Sequence, residues 1–156
     1  MRTVRAGEGP PLRELRLRAL GDAPRAFAST VADEAAFAES HWAELAGAGV
    51  VQIAVADAAW IGMACARWFD QERAIVQLWG MWVDPEWRGR RVGERLVGAV
   101  RGWAVAHGGR VVRLGVIDDG PHAAPFYERL GFACTGETRS LVRDPSLGCF
   151  FLARPA

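Results

Sequence analysis

The sequence predicts a mixed α/β fold, of the α+β kind, in which helices cover both faces of one mixed sheet. Short segments of strand character are interspersed with segments whose apolar residues recur at helical spacing, in the order β-α-α-β-β-β-α-β-α-β-β. The length of 156 residues, 51% of them hydrophobic, is enough for the core of one compact domain. We therefore predict a single domain over residues 1–156.

The N-terminal third predicts one short strand and two helices. Thr3–Ala6 has strand character, and Leu12–Leu20 carries apolar residues at helical spacing after two prolines that suit a first turn. Gly21–Pro24 ends that helix, and Asp33–Ala46, rich in Ala and Glu, predicts the second.

The rest of the chain predicts six strands and two helices. Val50–Ala56 and Trp60–Trp68 form an antiparallel pair joined by a turn near Asp57. Gly131 follows the last predicted helix as a left-handed cap. The other predicted elements are a strand at 73–83, a helix at about 89–107, the strand Arg110–Ile117, the helix Pro121–Leu130 and the strands Phe132–Glu137 and Cys149–Ala153.

Composition argues against several functions. The net charge of +1 does not favour nucleic acid or an anionic membrane as a bulk partner. The three cysteines, Cys65, Cys134 and Cys149, are odd in number and widely spaced, which argues against a disulfide framework or a zinc site. We therefore expect no metal. Because no signal region and no long apolar run is present, we expect a cytoplasmic protein.

The segment Val83–Leu96 is the most informative part of the chain. Asp84-Pro85 ends a strand, and Gly89 and Gly93 allow a ligand to approach the backbone closely. The helix that follows presents free amides and the positive end of its dipole. Arginines at 88, 90 and 91 add positive charge. This pattern predicts a site for a diphosphate.

Two motifs in this order resemble the GCN5-related N-acetyltransferase (GNAT) superfamily. Arg88–Gly93 is similar to the family's loop R/Q-x-x-G-x-G/A, with Arg91 in place of the first glycine. Ala123–Phe132 is similar to the family's segment A-x-x-x-Y-x-x-x-G-F. The resemblance spans about Val50 to Leu152. It implies a GNAT-like fold, whose central, mostly antiparallel sheet contains a splayed parallel pair that admits acetyl-CoA as co-substrate.

The resemblance also implies which residues contact the cofactor. Main-chain groups of Met81, Trp82 and Val83 would bind the pantetheine arm and the acetyl carbonyl. Tyr127 would protonate the leaving thiolate, and Asp119 would replace a family asparagine that stands at the position of Gly120. The residues expected at the diphosphate are Arg88, Gly89, Arg90, Arg91, Val92, Gly93 and Glu94.

The general base and the acceptor are left open by the sequence. Gln77 and Gly115 stand where relatives carry a glutamate. A water chain or another side chain would have to serve, and the candidates are Glu34, His41, Glu72, Asp118, Asp119 and His122. The N-terminal helices and the irregular segment 22–30 are expected to form the acceptor pocket.

We therefore predict an acetyl-CoA-dependent N-acetyltransferase acting on a primary amine of a small molecule or a peptide. The alternatives are transfer of another acyl group, a hydroxyl acceptor, or a non-catalytic module that binds acyl-CoA. A homodimer is expected if an exposed final strand pairs between subunits, as in many relatives.

Overall fold

A computed structural model describes residues 1–118, 123–141 and 144–156, and this part of the chain holds one seven-stranded sheet and five helices. The strands are β1 (Arg2–Thr3), β2 (Val51–Ala56), β3 (Ala59–Trp68), β4 (Ile75–Val83), β5 (Val111–Ile117), β6 (Ala133–Ser140) and β7 (Gly148–Pro155). The helices are α1 (Gly9–Asp22), α2 (Val31–Ala35), α3 (Glu39–Gly47), α4 (Val92–Ala106) and α5 (Ala124–Arg129).

The sheet has the strand order β1-β2-β3-β4-β5-β7-β6, and only β4 and β5 are parallel. Their pairing runs from Ile75 opposite Val111 to Leu78 opposite Leu114 and then stops, although both strands continue. The second half of β4 is therefore free of β5, and the predicted mixed sheet with a splayed parallel pair is confirmed.

A bulge redirects β4 at the point where it leaves β5. Met63 of β3 pairs with Trp82, but Cys65 pairs with Trp79, so Gly80 and Met81 together oppose a single residue. Gly80 has φ of +63°, which glycine adopts at little cost. A side chain there would also lie 3.3 Å from the sulfur of Cys65.

Two apolar cores lie on the two faces of the sheet. On one face, α4 buries Leu96, Val97 and Val100 in the same cluster as Leu78 and Leu114. The other cluster joins α1 and α3 to β2, β3 and β4, through the buried residues Leu12, Leu15, Ala19, Leu20, Trp42, Ala46, Val51, Ile53, Met63, Cys65 and Trp82. Burial of one large apolar side chain contributes roughly 1.5–3 kcal/mol, so these faces hold the helices on the sheet.

The predicted helix Asp33–Ala46 is wrong, because this segment forms two helices. Thr30 and Asp33 form a capping box that starts α2, and Glu34 then turns inward to an ion pair with Arg16 of α1. Ala38 adopts an extended conformation before α3 begins. A tertiary contact therefore interrupts a segment of good helix propensity, which a local pattern does not reveal.

The expectation that the final strand is an exposed edge is also wrong. β7 lies between β5 and β6, so β6 is the edge strand on this side of the sheet. The predicted start of the last helix at Pro121 lies outside the described residues. No helix in the described ranges is long and apolar enough to cross a bilayer. Homodimerisation, the cytoplasmic location and the single-domain extent stay predictions.

Candidate functional site

The gap between the two parallel strands opens into a cavity of about 150 Å³. Leu78 of β4 and Leu114 of β5 mark its closed end, where the last backbone pairing occurs. Its wall contains Phe27 from the segment between α1 and α2, and Tyr127 from α5. The remaining residues around it are Ala26, Trp79, Gly80, Met81, Gly115, Val116, Ile117 and Ala123.

A larger cavity of about 610 Å³ shares Phe27, Met81 and Tyr127 with the first and extends along β4 to the start of α4. It brings together most of the residues that the sequence predicts for the cofactor. Those that line it are Met81, Trp82, Val83, Arg88, Gly89, Arg91, Val92, Gly93, Glu94 and Tyr127. Arg90 does not line it, and Asp119 lies outside the described residues.

The loop from β4 to α4 is shaped by two left-handed residues. Asp84 caps a 3-10 turn over Pro85–Trp87 by accepting a hydrogen bond from the N–H of Glu86 at 3.1 Å. Gly89 has φ of +74° and Arg91 has φ of +58°. Arg91 stands at a position where the family pattern has glycine. It adopts the left-handed backbone conformation that glycine adopts readily.

The N-terminus of α4 faces the larger cavity. Arg91 is its N-cap residue, and no side chain accepts a hydrogen bond from the first turn. The amides of that turn lack intrahelical partners, and the helix dipole adds partial positive charge there. Gly93 sits where a Cβ would lie 3.1 Å from both Met81 Cε and Phe126 Cζ. The arrangement can bind an anion closely against the backbone.

Arg88 has a different role from the one its motif suggests. Its Nε donates to the carbonyl oxygen of Val83 at 3.0 Å, and its Nη2 forms an ion pair with Asp22 at the end of α1. The guanidinium therefore ties the loop to α1. Arg90 is exposed and stacks over Trp87, with 5.0 Å between its Cζ and the ring centroid.

Tyr127 is 8% exposed and forms part of the wall of both cavities. Its ring packs edge to face against Phe126 and Phe132, with centroid distances of 5.0 Å and 5.8 Å. Burial raises the pKa of this hydroxyl above its usual range, so it stays protonated at neutral pH. The protonated hydroxyl can donate a hydrogen bond to a sulfur atom in the cavity.

The two positions where relatives carry a carboxylate are occupied in ways that the structure explains. Gln77 is 6% exposed, and its Nε2 donates to the carbonyl oxygen of Leu78 at 3.2 Å. A Cβ at Gly115 would lie 2.9 Å from the sulfur of Cys149 and 3.2 Å from the ring of Phe151. A side chain at this position would therefore require Cys149 or Phe151 of β7 to move.

Glu34 is a poor base, although it is buried. Arg16 donates to both of its oxygens, at 2.8 Å from Nε and 2.6 Å from Nη2, and Ser29 donates as well. Burial alone would raise the pKa of Glu34, but these hydrogen bonds outweigh it and lower the pKa. The carboxylate is therefore held anionic, and its lone pairs are engaged.

The other candidate bases that the structure describes, His41, Glu72 and Asp118, do not line either cavity. His41 is exposed and contacts Phe37 at a tilt and Trp42 edge to face. Glu72 and Asp118 are also exposed. Asp119 and His122 lie outside the described residues. Within the described ranges, no group of three or more His, Cys, Asp or Glu side chains could hold a metal ion.

The sequence did not reveal the role of Asp22. The local sequence indicates only that Asp22 belongs to the segment that ends a helix. In the structure its Oδ2 accepts a hydrogen bond from Trp82 Nε1 at 2.8 Å and forms an ion pair with Arg88. Phe126 and Arg129 also line the larger cavity without having been predicted there. No short-range pattern marks these residues, because their partners are distant in the chain.

Solved structures share this fold. An acetyltransferase of the GNAT family from Streptococcus pneumoniae superimposes with a TM-score of 0.82 at 14% identity, covering 99% of this chain and 96% of that one. An aminoglycoside 6′-N-acetyltransferase complexed with coenzyme A gives 0.75 at 17% identity, covering 94% and 91%. The fold is therefore that of the acetyltransferases.

Sequence comparison defines the family. A model described as the acetyltransferase (GNAT) family matches residues 15–132, and the chain belongs to this family. An uncharacterized N-acetyltransferase of Methanocaldococcus jannaschii is 36% identical over 62 residues, which span 40% of this chain and only 27% of that protein.

Proposed function

We propose that the protein transfers the acetyl group of acetyl-CoA directly to a primary amine of a small molecule or a peptide. The observation that carries this proposal is the larger cavity, which runs from the free half of β4 to the N-terminus of α4 and is bordered by Tyr127. A structural neighbour has been solved with coenzyme A, which supports the choice of cofactor.

Two parts of acetyl-CoA would bind to two parts of this cavity. The diphosphate would bind the amides and dipole at the start of α4, beside Gly89 and Gly93. The pantetheine arm carries amide groups, and the half of β4 after Leu78 has main-chain groups that β5 does not use. An extended chain can bond to such an edge as an added strand does.

The proposed reaction is a direct attack in a ternary complex. The neutral amine nitrogen attacks the thioester carbonyl carbon, and main-chain N–H groups near Met81–Val83 would stabilise the oxyanion. The carbon–sulfur bond then breaks, the thiolate takes the proton of the Tyr127 hydroxyl, and the amine loses its proton to water. The Tyr127 phenolate takes a proton back from water, so the net reaction moves one proton from the amine to the thiolate. The products are an N-acetyl amide and CoA.

The first experiment is a thermal shift with acetyl-CoA, CoA and succinyl-CoA, with ATP as the control. At 100 times its dissociation constant, a ligand should add about 2.7 kcal/mol to the free energy of unfolding. A shift with acetyl-CoA and CoA but not with ATP supports the proposal. The absence of a shift with every CoA species contradicts it.

The second experiment follows thiol release from acetyl-CoA with a panel of primary amines and alcohols. Release with amines supports the proposed reaction, and release only with alcohols would replace it by O-acetyl transfer. A CoA shift without turnover on any acceptor would instead favour an acyl-CoA-binding module, for which Gln77 and Gly115, in place of carboxylates, are the motivating observation.

A further inference from the structure

We infer that the acceptor carries a carboxylate, which binds to a row of arginines beside the small cavity; this inference rests on the proposed function. The row crosses three strands. Arg67 of β3 is in register with Gln77 of β4, which is in register with Arg113 of β5. Register partners project from the same face of a sheet, so the two arginines flank the glutamine amide.

Arg113 is held in a fixed position. Its guanidinium lies between two aromatic rings, with Cζ 3.9 Å from the centroid of Phe69 and 4.2 Å from that of Phe151. Its Nη2 donates to Glu137 at 3.1 Å, and its buried Nε has no hydrogen-bond partner. A buried cationic donor without a partner is costly, and a ligand oxygen would satisfy it.

The cluster around Arg113 has an excess of positive charge. Glu137 is shared, because its second oxygen pairs with Arg139 at 3.0 Å. Arg139 also lies over the ring of Phe151, at 5.6 Å. Two arginines thus share one carboxylate, and Arg67 adds a third, exposed guanidinium to the same face. The buried pair of Arg16 and Glu34 contributes no net charge.

This positive row is within reach of the reacting centre. Trp79 and Gly115 line the small cavity, and each lies two residues further along its strand than Gln77 and Arg113. Two residues of a strand span about 6.6 Å. If the acceptor's carboxylate binds Arg113, an amine several bonds away from that carboxylate would therefore lie in the cavity. Gly115, which has no side chain, lies between the two points, with the ring of Phe151 beside it.

Guanidinium groups favour a carboxylate over other acceptor oxygens. Their planar donors match two carboxylate oxygens, and hydrogen bonds between charged groups are about twice as strong as neutral ones. The structure therefore assigns the acceptor to amine-bearing carboxylic acids, such as amino acids, rather than to polycationic amines. Arg113 and Arg67 are the residues that determine this specificity.

The test compares each acid with its own amide as acceptor. β-Alanine, γ-aminobutyrate and 5-aminopentanoate are paired with their carboxamides, and CoA release gives kcat/KM for each. We expect the acid of at least one pair to exceed its amide by about tenfold or more, which corresponds to 1.4 kcal/mol. Arg113→Gln and Arg67→Gln should each reduce that ratio severalfold, while the KM for acetyl-CoA stays unchanged.

Two controls keep the outcome interpretable. Arg5→Gln removes an exposed arginine near the opposite edge of the sheet and should leave the ratio unchanged. Arg67 is exposed, so its variant should fold even if Arg113→Gln does not. The inference is overturned if acid and amide have equal kcat/KM in the native protein. It is also overturned if both arginine variants keep the native ratio of acid to amide. In either case the proposed function stands.

A binding measurement covers the case of low turnover. In the presence of CoA, the free acids should raise the melting temperature more than their amides do, and Arg113→Gln should remove that difference. The inference is overturned, at any rate of turnover, if CoA raises the melting temperature but no acid raises it further than its amide does. If no amine of either set or of the broader amine panel releases CoA, the proposed function fails separately.

Discussion

Asp22 and Arg88 form an ion pair that joins the end of α1 to the loop before α4. The same carboxylate oxygen accepts a hydrogen bond from Trp82 Nε1 at 2.8 Å. Residues 23–27, which border both cavities through Ala26 and Phe27, begin directly after Asp22. The wall expected to face the acceptor and the loop expected to face the diphosphate therefore share one anchor.

Replacing Asp22 should disturb both substrates at once. Asp22→Ala leaves the buried N–H of Trp82 without a partner, which costs about 1–3 kcal/mol of unfolding free energy. It also releases Arg88, so KM should rise for the acceptor as well as for acetyl-CoA. Asp22→Asn keeps an acceptor oxygen for Trp82 and should cost less. Denaturant melts and initial rates measure both effects, and a change in only one KM would contradict the shared anchor.

Tyr127→Phe should lower kcat by about a hundredfold, because it removes the proposed proton donor to the thiolate. The dissociation constant for acetyl-CoA should change little, since the ring and its contacts with Phe126 and Phe132 remain. Single-turnover rates and calorimetric binding separate the two quantities. An unchanged kcat would exclude Tyr127 as the general acid.

Gly93→Val should weaken the binding of acetyl-CoA. A Cβ at this position already lies 3.1 Å from Met81 Cε and Phe126 Cζ, so valine would push these side chains into the cavity. Gly98→Val is the matched control, because Gly98 lies on the same helix with no atom within 4 Å of its Cβ position. Calorimetry should show a larger loss of affinity for the first variant, and equal losses would place the cofactor elsewhere.

The sequence predicts the parts of this molecule that depend on local pattern. The strands around Asp57, the helix that follows Gly89 and the left-handed cap at Gly131 all rest on residues close together in the chain. Their physical causes are side-chain periodicity and glycine conformation, both of which are visible in one segment.

The parts that escaped prediction depend on distant partners. The break between α2 and α3 accompanies the contact of Glu34 with Arg16, and the engagement of Arg88 follows from Asp22, 66 positions earlier. The crowding around Gly115 comes from side chains on β7. A single sequence gives no signal for such pairs, because the chain distance between partners says nothing about their approach in space.

Arg91→Gly tests the conformation of the loop. A left-handed conformation costs a residue with a side chain about 1–2 kcal/mol, and glycine removes this cost. The greater freedom of glycine in the unfolded chain offsets part of the stability gained. We expect the free energy of unfolding to rise by up to about 1 kcal/mol. Arg91→Ala also loses the guanidinium but keeps the strain, so it should not gain stability. Equal melting temperatures for the two variants would contradict a strained Arg91.

The ion pair of Arg16 and Glu34 should make stability depend on acidic pH. Because the pKa of Glu34 is lowered on folding, its contribution is fully present above the unfolded value of 4.5 and is lost as pH falls through the folded value. Glu34→Gln leaves Arg16 buried without its counter-ion and should cost about 3 kcal/mol at neutral pH. The pKa values of Glu8 and Asp70 are also lowered, but both residues remain in the variant. Denaturant melts from pH 7 to pH 3 should therefore show the two proteins converging on acidification, and a constant difference would contradict an ionised Glu34.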